Sequence, residues 1–179
     1  IFLQRIYDAP LPKEPETVVD IGANIGLFVL RAKQLWPNCS VLCYEPEPKN
    51  FRELERMIRL NDLKGITPVN AAVMAAPGTI TLYLHPRNSG GHSTVHHHSA
   101  NTITVPAETM ESALGRLDGG RCNFLKVDCE GAEAAIFRAL TPAIASRIDA
   151  IVYEPEWSLY SVADLNRDLT DKGFTLEQR

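Results

Sequence analysis

Short apolar runs alternate with amphipathic stretches along most of this chain, and that alternation limits the folds open to it more than any other feature. Thr17-Val18-Val19-Asp20-Ile21 reads as a buried strand. A helix is expected from Ile25 to Trp36, with Ile25, Phe28, Ala32 and Leu35 on one face and Pro37 ending it. Ser40 to Tyr44 reads as a second strand. Pro48 to Leu60 reads as a second helix, with Pro48 at its start and Phe51, Leu54 and Ile58 inward. Ile66 to Ala72 reads as a third strand. The rhythm then breaks. Thr79 to Leu84 reads as an antiparallel strand after the Pro77-Gly78 turn, and residues 85–101 as a polar loop insertion rich in Gly, Ser and His. Thr102 to Val105 reads as a strand and Glu108 to Leu114 as a short helix. The alternation resumes with a strand over Asn123–Asp128, a helix over Ala132–Leu140, a strand over Ala150–Glu154 and a helix over Val162–Asp171. Phe174 to Glu177 reads as a final strand. Such a pattern predicts an α/β, doubly wound, mostly parallel sheet with helices on both faces. Residues 1–16, with Pro10, Pro12 and Pro15, read as an extended lead-in, and residues 17–179 as one domain. Ligands of such sheets sit beyond the carboxyl ends of the strands.

One such end carries Asp20-Ile21-Gly22-Ala23-Asn24-Ile25-Gly26. Glycines let the turn be tight and let a ligand approach the backbone. The following helix start, with its unpaired N–H groups, favours an anionic group. The dinucleotide fingerprint needs Gly-x-Gly-x-x-Gly, but the register here gives Gly22, Asn24 and Leu27, and the P-loop Lys-Ser/Thr ending is missing too. Asp20 suits an amine better than a phosphate. The turn therefore fits a ligand carrying both a carboxylate and an amine, as S-adenosyl-L-methionine does. Glu45 ends the next strand, where a carboxylate can take both ribose hydroxyls. Pro46 is placed to pack against an adenine, and Asn70 and Ala71, ending the third strand, to border the base.

Charge narrows the partners. The net charge is -4 and the sequence pI about 5.7, which argues against nucleic acid as the main partner. No apolar run is long enough to span a bilayer, and Ile1-Phe2-Leu3-Gln4-Arg5 is too short and too soon charged for a signal peptide. Cys39, Cys43, Cys122 and Cys129 form no C-x-x-C pair and read as buried, reduced thiols. A cytoplasmic protein without membrane partners is expected.

Taken together, these residues resemble the FkbM-type family of S-adenosylmethionine-dependent methyltransferases. The resemblance is carried by Asp20 to Gly26, by Tyr44-Glu45-Pro46 followed by Asn50-Phe51, by Asn70-Ala71-Ala72-Val73, and most specifically by Phe124-Leu125-Lys126-Val127-Asp128-Cys129-Glu130-Gly131-Ala132-Glu133. It covers about residues 17 to 178. It implies a seven-stranded sheet of the class I, Rossmann-like methyltransferase type, and O-methylation of a hydroxyl on a small molecule, a sugar or another natural product. It also implies that Asp20, Gly22, Ala23, Asn24, Gly26 and Glu45 contact the cofactor, and that Asp128 borders it and faces the methyl-transfer site.

An alcohol is a poor nucleophile, so a base or a metal would help to remove its proton. Asp128, at the carboxyl end of its strand, is the first candidate, followed by Glu130 and Glu154. Glu133 reads as a first-turn helix carboxylate. His92 or Ser93 is expected to touch the acceptor from the covering loop. His96 and His98 could share an ion, but a polar loop accounts for that run more simply. A Mg²⁺ ion shared by Asp128, Glu130 and Glu154 is chemically reasonable. Two other classes remain open on the residues alone. One is a NAD-dependent enzyme of related fold, against which the missing glycines count. The other is a non-catalytic cofactor-binding module, against which the carboxylates count.

Overall fold

The computed structural model describes residues 14–95 and 100–176; His96, His97 and His98 lie outside them. Thr17–Ile21 forms β1, Ser40–Tyr44 β2, Ile66–Val69 β3, Phe124–Val127 β7 and Ile151–Tyr153 β8. These five strands make one parallel sheet in the order β3-β2-β1-β7-β8. The order reverses direction at β1, so the crevice beyond its carboxyl end is the switch point where such sheets hold ligands.

Alternate residues along each strand serve opposite faces. Val18, Val41, Cys43 and Phe124 pack with Phe28, Val29 and Ala32 of α1 (Leu27–Leu35), with Trp36, and with Leu54 of α2 (Pro48–Leu60). Phe124 is met edge-on by Trp36, ring centroids 5.8 Å apart. Val19, Leu42, Tyr44, Leu125 and Val127 face the other way. They pack on α3 (Met110–Gly115), on Ile136 and Phe137 of α4 (Glu133–Ala139), and on Leu165 and Leu169 of α6 (Val162–Asp171). A short α5 spans Pro142–Ala145. Several helix starts are capped by side chains: Glu47, Thr109 and Ser161 each accept the backbone N–H three residues on.

Local structure departs from expectation in five places. Helix α1 begins at Leu27 because Gly26 adopts φ 93°, and Ile25 is 37% exposed rather than inward. The run from Ile66 to Ala72 is not one strand: after β3 the chain turns, and Ala72–Val73 (β4) joins a second sheet, ordered β4-β6-β5. That sheet holds Gly78–Tyr83 (β5) antiparallel to Thr102–Glu108 (β6), so Glu108 ends a strand instead of opening a helix. No strand forms over 174–176, and Glu177 lies outside the described residues. The described residues thus make a parallel sheet of five strands, not the implied seven. No described helix is long and apolar enough to cross a membrane.

Candidate active site

Beyond β1 the chain turns sharply. Gly22 (φ 81°) and Ala23 both donate their N–H to the Tyr44 carbonyl, at 3.1 and 2.9 Å. Asn24 takes a left-handed backbone (φ 51°), and its N–H donates to Glu45 Oε2 at 2.8 Å. The Glu47 N–H donates to Glu45 Oε1 at 2.9 Å. Glu45 is thus fixed by two backbone donors while keeping lone pairs for a ligand. Burial pushes its carboxyl up to about 7 against the pull of those donors.

A cleft partly open to solvent runs across the ends of β1, β2 and β7. Gly22, Asn24, Glu45, Pro46 and Ala71 line one part, and Asp128, Cys129 and Glu130 another. Tyr44, Val73, Met74 and Leu82 supply apolar walls. Ser89, Gly90, His92 and Thr94 bring the 85–95 loop over it. Asn50 Nδ2 anchors that loop through the Ser89 carbonyl at 2.7 Å, and Ser93 Oγ donates to the Glu130 carbonyl at 2.6 Å.

Five expected site residues are outside the cleft lining. Asp20 is fully buried beneath the turn, with Oδ1 3.1 Å from Lys126 Nζ, and does not line the cleft. Ala23 is buried against the α1-side core. A Cβ on Gly26 would lie 2.2 Å from Met57 Cε and 2.7 Å from Leu54 Cδ1, so this glycine lets α2 pack close. Asn70 spends its amide on the Glu45 and Pro46 carbonyls (2.8 and 3.1 Å), holding the turn that presents Glu45. Glu154 is exposed and outside the lining.

On the acceptor side, Asp128 is half-buried with Oδ2 3.3 Å from Lys126 Nζ. Glu130 sits on a left-handed backbone (φ 56°) that costs a non-glycine residue about 1 kcal/mol. Burial, and after it the charges of Asp128, Glu154, Glu156 and Glu133, push its carboxyl up to about 7. His92 lines the cleft, but its Nδ1 accepts the His85 N–H at 2.9 Å. The neutral ring, favoured by burial that lowers its pKa, then carries its proton on Nε2 and offers a donor instead of a base. Ser93 is consumed by Glu130 and Val95. Among the described residues no group of three His, Cys, Asp or Glu side chains is placed to hold a metal, so the proposed Mg²⁺ ligand set is not assembled.

Two buried charged residues hold the turns that border the cleft. Glu133, fully buried at the start of α4, accepts from the Cys129 N–H at 2.8 Å, the Gly131 N–H at 3.0 Å and the Tyr160 hydroxyl at 3.0 Å. Lys126 is the residue that reading the sequence missed. The available signal was one charge in each of two apolar strands: Asp20 and Lys126 are register partners in the β1–β7 ladder. Cys39, Cys43 and Cys122 are buried and Cys129 half-buried, all as free thiols.

A parallel sheet reversing at β1, with a glycine turn and a strand-end acid at that switch point, defines a Rossmann-like fold with its ligand crevice in place. The family described as "Methyltransferase FkbM domain" matches residues 20–176, and the chain belongs to that family. "Methyltransferase 1" of Beauveria bassiana (strain ARSEF 2860) is 29% identical over 197 residues, covering 98% of this chain and 79% of that one. "Methyltransferase sdnD" of Sordaria araneosa is 30% identical over 210 residues, covering 98% and 80%. Among solved structures, precorrin-6y C5,15-methyltransferase of Geobacter metallireducens GS-15 superposes with a TM-score of 0.53 at 15% identity, a likeness of fold. The match spans 90% of this chain and 64% of that one.

Membership implies S-adenosylmethionine as methyl donor, and the cleft fits it. Asn24 Oδ1 and Thr94 Oγ1 are buried on the cleft lining without a hydrogen-bond partner. Such orphaned acceptors are costly unless a ligand donor meets them. An ammonium and a ribose diol supply donors of that kind for Asn24 and Glu45.

Proposed function

We propose that this protein methylates a hydroxyl on a small-molecule acceptor, with S-adenosylmethionine as methyl donor. The observation that carries the reading is the buried, unpartnered Asn24 Oδ1 beside the doubly anchored Glu45 carboxylate. Asn24 and Thr94 would accept from the amino-acid end of the cofactor, Glu45 would hold the ribose, and Pro46 and Ala71 would flank the base. The cofactor supplies a methyl group already activated on a sulfonium. The protein must align the acceptor and take its proton. Glu130 is the group we assign to the proton, because a carboxyl near 7 balances basicity against ionisation at neutral pH. Asp128, engaged by Lys126, is assigned to orient the hydroxyl.

The deciding experiment is calorimetric titration of S-adenosylmethionine and of NADH. Binding of the first and not the second is expected, and the converse would reverse the assignment. Glu130→Gln should lower turnover at least 100-fold, within the usual range for losing a general base, with donor affinity changed less than about threefold. Turnover retained within threefold would transfer the role to another group.

Glu45 makes donor binding pH-dependent. Its carboxyl titrates near 7 in the free protein, and a diol donates best to the ionised form. Affinity should therefore rise with pH through about 7 and level off above it. Stability should move oppositely: the folded state holds this proton more tightly than the unfolded chain, so the stabilisation is complete below the unfolded value, about 4.3, and fades as pH rises through about 7. Glu45→Gln should cost 10- to 100-fold in donor affinity, the loss of about 1.5–3 kcal/mol typical of hydrogen bonds to a charge, and should flatten the pH profile. A flat profile in the unaltered protein would remove Glu45 from the ribose site.

A further inference from the structure

Lys126 is 3% exposed, in the middle of a strand otherwise made of Phe124, Leu125 and Val127. Its ammonium donates to the Gly22 carbonyl at 3.1 Å and lies at ion-pair distance from two carboxylates, Asp20 Oδ1 at 3.1 Å and Asp128 Oδ2 at 3.3 Å. The Phe28 ring, its centroid 5.9 Å away, closes the site from α1. Burial opposes the charge on Lys126, but Asp20 and Asp128 outweigh it. A hydrophobic residue in this place would fill the core at less cost in desolvation, so packing alone does not account for a lysine here. The three partners have a common feature. Asp20 is the last residue but one of the strand that enters the turn, the Gly22 carbonyl belongs to the turn itself, and Asp128 stands on the acceptor side of the cleft.

We propose that Lys126 is a positioning residue that joins the glycine turn to Asp128, so that the donor-binding and acceptor-binding halves of the cleft are held as one unit. The inference rests on the assignment of the cleft to S-adenosylmethionine, but part of its test does not. Lys126 touches neither reactant. It fixes the direction of the Gly22 carbonyl, hence the backbone that meets the cofactor, and it sets the rotamer of Asp128. The backbone also links the two, through the Asp128 N–H, which donates to the Ile21 carbonyl at 3.0 Å.

Lys126→Met alone strands the buried Asp20 carboxylate and is prone to misfold. The informative variant is therefore Asp20→Asn with Lys126→Met, which removes both charges while keeping volume. It should be studied well below its own melting temperature. Two readouts apply: S-adenosylmethionine affinity by calorimetry, and amide hydrogen exchange at residues 22–24 and 128–131 without ligand. We expect affinity at least tenfold weaker. We also expect exchange at least tenfold faster at both segments, with α6 unchanged. A merely structural lysine would lower the melting temperature and leave both local readouts as they were, and that result overturns the proposal. Should the unaltered protein fail to bind S-adenosylmethionine, the functional assignment fails on its own. Exchange at the two segments then still decides the role of Lys126: faster at both supports it, and unchanged at either refutes it.

Discussion

Gly22→Ala should be among the most damaging single-methyl additions in this protein. A Cβ at position 22 would lie 1.8 Å from the Asp128 carbonyl oxygen and 2.8 Å from its carbon. Both are backbone atoms, and the β1–β7 ladder holds them in place through the Asp128 N–H to Ile21 bond. The backbone at Gly22 also has φ 81°, a left-handed conformation costing a non-glycine residue about 1–2 kcal/mol. Overpacking typically adds about 1–3 kcal/mol, so with the backbone cost the total loss should be on the order of 2–5 kcal/mol. For a chain of this size that means a fall of about 10 °C in melting temperature. Donor binding should be lost with it, since the only relief is to push the turn away from β7. Gly26→Ala is the comparison, because the atoms it meets are the ends of the Met57 and Leu54 side chains, which can shift. Scanning calorimetry of both variants checks the contrast. A Gly22→Ala protein melting within 2 °C of the parent would show that the β7 end yields.

Glu133→Ala should be comparably severe through a different mechanism. The Cys129 and Gly131 N–H groups and the Tyr160 hydroxyl all donate to this one buried carboxylate. Alanine leaves three donors without an acceptor, each costing about 1–3 kcal/mol when no water replaces it, and opens a cavity. A loss of about 4 kcal/mol is expected. Glu133→Gln keeps volume and one acceptor oxygen, and should recover part of it. Because the carboxylate holds the 129–131 turn that presents Glu130, turnover should fall further than stability alone explains. The measurement is urea unfolding of both variants beside activity at low urea. Equal stabilities for Glu133→Ala and the parent would mean that water or a neighbouring group takes over the carboxylate's bonds.

Much of the architecture was legible because its causes are local. Val162–Asp171 forms over the residues expected; Ser161 caps it and Leu165 and Leu169 are buried at helical spacing, all local features. Pro48 marked the start of α2 for the same kind of reason. The run Ile66–Ala72 misled because apolar side chains continue through it, while the Asn70 amide, bonded to Glu45 and Pro46, turns the backbone between two sheets. Apolar pattern reports burial and is silent on which sheet a strand joins.

The sequence alone determined the alternation of parallel units, the glycine turn after the first strand and the acids at the strand ends, because each depends on residues close together along the chain. Only the tertiary structure decided which of those residues face the cleft. Asp20 and Lys126 are 106 positions apart, yet share one buried ion pair because β1 and β7 are neighbours. Gly26 makes room for α2, whose Met57 and Leu54 side-chain ends fill the space a Cβ there would take. Strand order and helix packing set those distances, and they arise from burying the whole core at once, which no local stretch of residues encodes.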